Sequence, residues 1–185
     1  STQGVSSAAS DVYKRQSIKE MPEYLPAAFV AIEDERFYEH KGVDVKRTLR
    51  ATYTYIKNKG KSPFGGSTIT QQMVKNLTQE KEDTWQRKVR EMARAYYVEQ
   101  EMSKEQILEL YLNIIYFGNG YTGIHDASYG YFNKSPKNLT FYEATYLAGL
   151  PNAPSVYSED DKLGEERRLQ VVQAVNKYCK KSQRQ

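Results

Sequence analysis

The run SKEQILELYLNII, residues 103–115, narrows the fold more than any other stretch. Ser103 can cap a helix, and Gln106, three residues on, can complete a capping box. Ile107, Leu110, Tyr111 and Ile114 then recur at helical spacing. Thr140 with Glu143 repeats the capping pattern ahead of a second apolar run. Similar patterning predicts helices over about 67–78, 84–100, 121–132 and 163–180. Two more come earlier. Residues 25–38 begin as a helix through Ala28, Ile32 and Glu35 or Arg36 on successive turns, and residues 44–59 set Leu49, Tyr53 and Ile56 on one face. Gly60, Pro63, Gly65 and Gly66 mark 59–66 as a loop, and the two prolines of LPNAPSVY predict another over 150–157. No stretch alternates as a strand and no segment repeats. A mainly α domain is therefore expected over 17–180. The small polar residues 1–16 are expected to be flexible or vector-derived, and 181–185 a polar tail.

The 185 residues suffice for a core, with 39% apolar and 27% charged side chains. A net charge of +4 suits an anionic partner without naming it. The 16 tyrosines, against six Phe and one Trp, suit surfaces that are half buried and half wet, membrane interfaces included. The single Cys179 excludes an internal disulfide. No apolar run is long enough to cross a bilayer and no signal peptide is visible, so any membrane anchor is expected outside these residues.

Three clusters could carry chemistry. In GGSTITQQMVKN (65–76), a helix opened by Ser67 or Thr68 would align Ser67, Gln71 and Lys75 in one polar file and Gln72 and Asn76 in the next. Free N–H groups at its start would face the same solvent, so the file could hold phosphate, amide or sugar groups. A plain solvated helix face is the competing reading. In AIEDERFYEH (31–40), Glu33 follows an apolar run, and partial burial would raise its pKa and make it a better base. Only two histidines exist and no HExxH spacing occurs, which argues against a zinc site. His40 reads as a fastener for the loop at Gly42. In RKVRE (87–91), Arg87 and Glu91 lie one turn apart and can pair on a wet surface. Alternatively the basic groups Arg87, Lys88 and Arg90 clamp phosphate beside Glu91 as a second carboxylate. Between the first two clusters, Lys41, Lys46, Arg47, Arg50, Lys57, Lys59 and Lys61 surround one acid, Asp44, with Tyr53, Tyr55, Ile56 and Phe64 interleaved. Such a run suits anionic headgroups or a nucleic-acid backbone, and no nucleic-acid-binding signature favours the latter.

In order along the chain, EDERFYEHKG (33–42), GGSTITQQMVKN (65–76), RKVRE (87–91), KEQILELYLNIIYFGNGYTGI (104–124) and, more weakly, ERRLQVVQAV (166–175) resemble the five signatures of the peptidoglycan glycosyltransferases. These form the polymerase domain of class A penicillin-binding proteins and the monofunctional transglycosylases. The resemblance implies a lysozyme-like helical head lobe and a smaller membrane-facing jaw lobe, here near 43–66. It implies polymerisation of lipid II into β-1,4-linked strands, with inversion of the donor anomeric carbon and release of undecaprenyl diphosphate. Glu33 falls on the general base for the acceptor 4-hydroxyl. Glu91 falls on a second glutamate acting near the donor diphosphate or the acceptor sugar.

Ser67, Thr68, Gln71, Gln72, Lys75, Asn76, Arg87 and Lys88 fall on residues that bind the donor pyrophosphate and nearby sugar, and Arg167 or Arg168 on the fifth motif's arginine. Asp34, Phe37, His40 and Gly42 shape the first motif, while Glu109, Tyr111 and Asn113 support the head lobe. The resemblance leaves room for Mg2+ or Mn2+ bridging the donor diphosphate, met by Glu91, and implies no organic cofactor. The implied partners are lipid II, the growing glycan strand, the bacterial membrane surface and other cell-wall synthesis proteins, with no nucleic acid. The implied place is the outer face of the cytoplasmic membrane, through an N-terminal anchor absent here. The family often has Gly-Ile-Glu-Ala-Ala where this chain has Gly123, Ile124, His125, Asp126 and Ala127, so a changed local hydrogen bond is expected. No transpeptidase motif accompanies the domain. The rival readings are a lysozyme-like glycan hydrolase, which two carboxylates would also suit, and a non-catalytic membrane-binding module.

Overall fold

A computed structural model describes residues 15–58, 66–80 and 84–183. The expectations for residues 1–14, for the loop positions 59–65 and for the last two residues of the tail lie outside them. Among the described residues there is no strand, and nine α-helices follow one another. They are α1 (Tyr24–Glu33), α2 (Val45–Lys57), α3 (Ile69–Thr78), α4 (Trp85–Glu101), α5 (Lys104–Ile114), α6 (Gly123–Phe132), α7 (Phe141–Gly149), α8 (Pro154–Glu159) and α9 (Asp161–Ser182). The mainly α class read from periodicity is what the chain adopts.

The chain divides into two compact units. One comprises the chain up to Ile32 and from Leu112 onward. Its interior is apolar. Leu25, Ala28 and Phe29 of α1 are fully buried, as are Leu112, Phe117, Ile124, Ala127, Ala144, Leu147, Ala148 and Val171. Phe29 meets Phe117 edge to face at 6.0 Å, and the Tyr24 hydroxyl donates to the Leu139 carbonyl at 2.6 Å. Helix α9 packs along α7 and α8. Tyr131 touches the rings of Tyr121, Phe132 and Tyr146, and burial pushes its hydroxyl up to about 12.

The other unit is Glu33–Tyr111. Here α3 packs on α4, and Phe37, Ile69, Met73, Val74, Ala95, Ile107, Leu108 and Tyr111 are buried.

Several expectations are corrected. Helix α1 stops at Glu33, and 35–39 fold into turns closed by Phe37 N–H to the Asp34 carbonyl and Glu39 N–H to the Arg36 carbonyl, both at 2.8 Å. Residues 150–157 are not a loop: Leu150–Asn152 form a 3-10 turn and α8 begins at Pro154. Proline is tolerated in a first helical turn, where its missing N–H would have no partner. On α5 the capping box is present, Ser103 N–H to Gln106 Oε1 at 2.8 Å and Gln106 N–H to Ser103 Oγ at 3.3 Å. Its buried face is Ile107, Leu108, Tyr111 and Leu112, while Leu110 and Ile114 are half-buried. In α2 the apolar residues Val45, Leu49 and Tyr53 are exposed. At the altered fourth motif, His125 Nδ1 lies 3.1 Å from Asp126 Oδ1 and its ring 4.8 Å from that of Tyr129.

Candidate active site

The second unit's polar interior is organised by the first turn of α3. Thr68, not Ser67, is its N-cap: the hydroxyl accepts from Gln71 N–H at 3.1 Å and Gln71 Oε1 accepts from Thr68 N–H at 3.0 Å. The same hydroxyl donates to the Gly42 carbonyl at 2.6 Å. Gly42 has φ +85°, and a Cβ there would stand 2.5 Å from the Ala95 carbonyl oxygen of α4, so only glycine fits. Asp34, fully buried, accepts the Ile69 N–H at 3.1 Å and faces His40 Nε2 at 2.8 Å, both through Oδ2. The Thr68, Ile69 and Gln71 amides, expected to be open to solvent, are thus consumed internally. The polar file is corrected too. Gln71 is buried while Lys75 and Asn76 are exposed, and the Asn76 amide donates back to the Gln72 carbonyl.

Two adjacent glutamines of α3 each hold one buried carboxylate. Gln71 Nε2 donates to Glu91 Oε1 at 3.2 Å, and Gln72 Nε2 donates to Glu33 Oε2 at 2.8 Å. Glu33 and Glu91 are 6% and 4% exposed. The Tyr111 hydroxyl donates to Gln72 Oε1 at 3.2 Å, which turns the amide so that its NH2 faces the acceptor-only carboxylate. Burial, and then the negative charges of Glu33 and Asp34, push Tyr111 well above its ordinary value, so it stays a neutral donor.

Glu91 is held by cations as well. Arg87 Nη1 reaches Oε2 at 2.9 Å and Lys88 Nζ reaches Oε1 at 2.5 Å. Lys88 also donates to Ser67 Oγ at 2.7 Å, joining α4 to the residue before the α3 cap. Two cations meet one carboxylate here, and guanidinium and ammonium donors suit an anionic group. Among the described residues no group of three or more His, Cys, Asp or Glu side chains is arranged to hold a metal ion. With Glu91 engaged by two cations, its donor set does not suit a resident divalent ion.

Residues the sequence reading passed over anchor the first motif to α2. Asp44 caps α2 by accepting Arg47 N–H at 2.9 Å, and it takes two bonds from the Arg36 guanidinium, Nε to Oδ2 at 2.9 Å and Nη2 to Oδ1. Burial pushes the Asp44 carboxyl up, but the Arg36 and Arg47 hydrogen bonds outweigh it and hold it below the ordinary value. The Arg47 guanidinium donates to the Glu33 carbonyl at the end of α1. A cavity of about 420 Å³, lined by Arg36, His40, Lys41, Asp44, Lys46 and Tyr96 among others, adjoins this network; neither glutamate lines it. Glu99 was also missed. Its signal was present, because Glu91, Ala95 and Glu99 stand one turn apart on α4.

Of the remaining candidates, Phe37 and Glu109 belong to the same unit and the others to the first. Phe37 lies beneath the Lys104 ammonium, 4.5 Å from its ring centroid. Glu109 is half-buried on α5. Asn113 belongs to the first unit and exchanges two hydrogen bonds with the Gln16 backbone, at 2.8 and 2.9 Å. Arg167 and Arg168 also belong to the first unit, on α9. Arg167 donates to the Gly149 carbonyl and Gln170, while Arg168 pairs with Glu165 and lies 4.3 Å over the Tyr142 ring.

The chain matches the family model described as Transglycosylase over residues 3–176. Similar curated proteins include penicillin-binding protein 1F of Bacillus subtilis (strain 168), 47% identical over 163 residues, 86% of this chain and 22% of the relative. Penicillin-binding protein 1A of Clostridium tetani (strain Massachusetts / E88) is 45% identical over 157 residues, 83% of this chain and 20% of the relative. Penicillin-binding protein 2D of Bacillus subtilis (strain 168) is 44% identical over 169 residues, 90% of this chain and 24% of the relative. The chain thus spans only a fifth to a quarter of the length of these relatives.

Proposed function

Because this chain belongs to the transglycosylase family, we propose that it is a peptidoglycan glycosyltransferase that polymerises lipid II into β-1,4-linked glycan strands. The observation that carries this reading is the pairing of neighbours on α3: Gln72 holds Glu33 and Gln71 holds Glu91. Glu33 accepts from a neutral amide, whereas Glu91 accepts from Arg87 and Lys88.

By its place in the family's first motif, Glu33 is the general base. It takes the proton of the acceptor 4-hydroxyl as that oxygen attacks the donor anomeric carbon. The bond to the diphosphate oxygen breaks on the opposite face, the configuration inverts, and undecaprenyl diphosphate leaves with the electron pair. The leaving group needs charge compensation rather than protonation. Lys88, Arg87 and Ser67 supply it, with Glu91 holding the two cations in place until the diphosphate shares them. Thr68 and Asn76 shape this wall, and exposed Lys75 adds charge. No step is routed through Mg2+ or Mn2+, since Glu91 is already satisfied by cations.

The place of action is the outer face of a bacterial cytoplasmic membrane. Exposed Val45, Leu49 and Tyr53 beside Lys46, Arg50 and Lys57 on α2 support a jaw lobe that rests on anionic lipid. Among the described residues no helix is long and apolar enough to cross a membrane. The growing glycan strand and other cell-wall synthesis proteins are the expected partners.

One set of incubations tests the reading. The chain is given purified lipid II with and without a chelator, and separately finished glycan strands, and the products are run on a gel. Polymer from lipid II, intact strands and insensitivity to the chelator are expected. Strand cleavage would support a hydrolase instead, and binding of lipid II without turnover a non-catalytic module.

A further inference from the structure

Glu99 is a buried acid that the proposed reaction does not use. Its side chain is 4% exposed. Oε1 accepts from the Thr70 hydroxyl at 2.5 Å and lies 4.0 Å from His40 Nδ1. Oε2 meets Lys104 Nζ at 2.6 Å. His40 Nε2 in turn reaches Asp34 Oδ2, and that oxygen accepts the Ile69 N–H. Glu99 thus grips the first turn of α3 directly at Thr70, while His40, bonded to Asp34, stands beside it without a hydrogen bond to Glu99. The next two residues of that turn are Gln71 and Gln72, the holders of Glu91 and Glu33.

Burying a carboxylate is costly unless it is paired, and an apolar side chain of similar volume would stabilise the interior at least as well. A carboxylate here therefore calls for a role in orientation. Helical geometry supplies one, because a rotation at Thr70 carries both following side chains with it. We propose that Glu99 is a positioning residue, with Lys104 and Thr70 as its partners, that sets α3 so that Gln71 and Gln72 present the two glutamates in register. This rests on the polymerase reading above.

The test uses the full chain carrying Glu99→Gln or Thr70→Val, with Glu101→Gln, an exposed glutamate of α4, as control. The kcat on lipid II is expected to fall about 10- to 100-fold in the first two, with KM changed less than about twofold. Amide hydrogen exchange should quicken at residues 69–72 while α7 and α9 keep their protection. Combining Glu99→Gln with Gln72→Ala should cost less than the product of the single losses, because both act on Glu33 through one amide. An unchanged kcat, multiplicative losses, or exchange quickened equally throughout the chain would overturn the proposal. If the parent chain itself makes no polymer, the polymerase reading fails, and the exchange measurement alone still decides whether Glu99 fixes α3.

Discussion

The two units bury different things. Among the described residues, the unit that includes Phe29 and Phe117 hides apolar and aromatic side chains, and its fully buried polar groups are Ser128 and Thr145. The unit Glu33–Tyr111 hides Glu33, Asp34, Asp44, Thr68, Thr70, Gln71 and Glu91. Both solve the same problem of removing side chains from water, at different cost. Apolar burial is favourable without direction. Buried carboxylates repay their desolvation only when every partner is in place. The difference teaches where chemistry can reside. The apolar unit tolerates change so long as volume is kept, whereas the polar unit specifies orientation.

The sharpest way to break this contrast is at Glu33. Glu33→Gln keeps shape and hydrogen-bonding capacity but removes the base, so polymer formation from lipid II should fall about 10²- to 10⁴-fold. The melting temperature should stay within a few degrees of the parent. Undiminished polymerisation by this variant would remove Glu33 from the mechanism. The opposite pattern is expected from Phe29→Ala in the other unit. Emptying a fully buried site costs about 3–5 kcal/mol, which at this chain length lowers the melting temperature by roughly 10 °C. Turnover per folded molecule should hardly change. A melting curve paired with rates corrected for folded fraction checks both halves.

The helices were legible because their periodicity is local. Thr140 with Glu143 and Ser103 with Gln106 announce their starts within four residues. What was not legible depends on distant partners. Helix α1 stops at Glu33 because Asp34 turns away to accept the amide of Ile69, 35 residues on. Gln71 was read as part of a wet polar file, yet Glu91, 20 residues later, draws it inside. The resemblance pointed to both glutamates. Spacing alone could not say that adjacent glutamines would tie them to one turn. Nor did composition reveal Glu99, since an acid on a helix is usually solvated, and only the file through Ala95 hinted otherwise.

A smaller effect sharpens the contrast within the polar unit. Tyr111→Phe removes one hydroxyl and leaves Gln72 Oε1 without that donor. The stability cost is about 1–3 kcal/mol. The amide of Gln72 is then free to rotate away from Glu33, so kcat should fall by roughly tenfold while KM holds. Steady-state kinetics on lipid II distinguishes this from simple destabilisation, which would reduce active enzyme without altering turnover per folded molecule.

The smallest effect concerns acid. Asp44 caps α2 and pairs with Arg36, and the net result is a carboxyl held below its ordinary value of 3.8. A group whose folded value is depressed adds stability that is complete above its unfolded value and drains away as pH falls through the folded one. The pairing therefore contributes fully at neutral pH, and its contribution begins to fail only below the ordinary carboxyl range. Asp44→Asn can still cap the helix but cannot bind Arg36 as an ion. Its melting temperature should lie below that of the parent at neutral pH, and the gap should narrow as pH drops toward about 2. Parallel melting curves across that range test it, and a gap that stays constant with pH would detach Asp44 from the acid response.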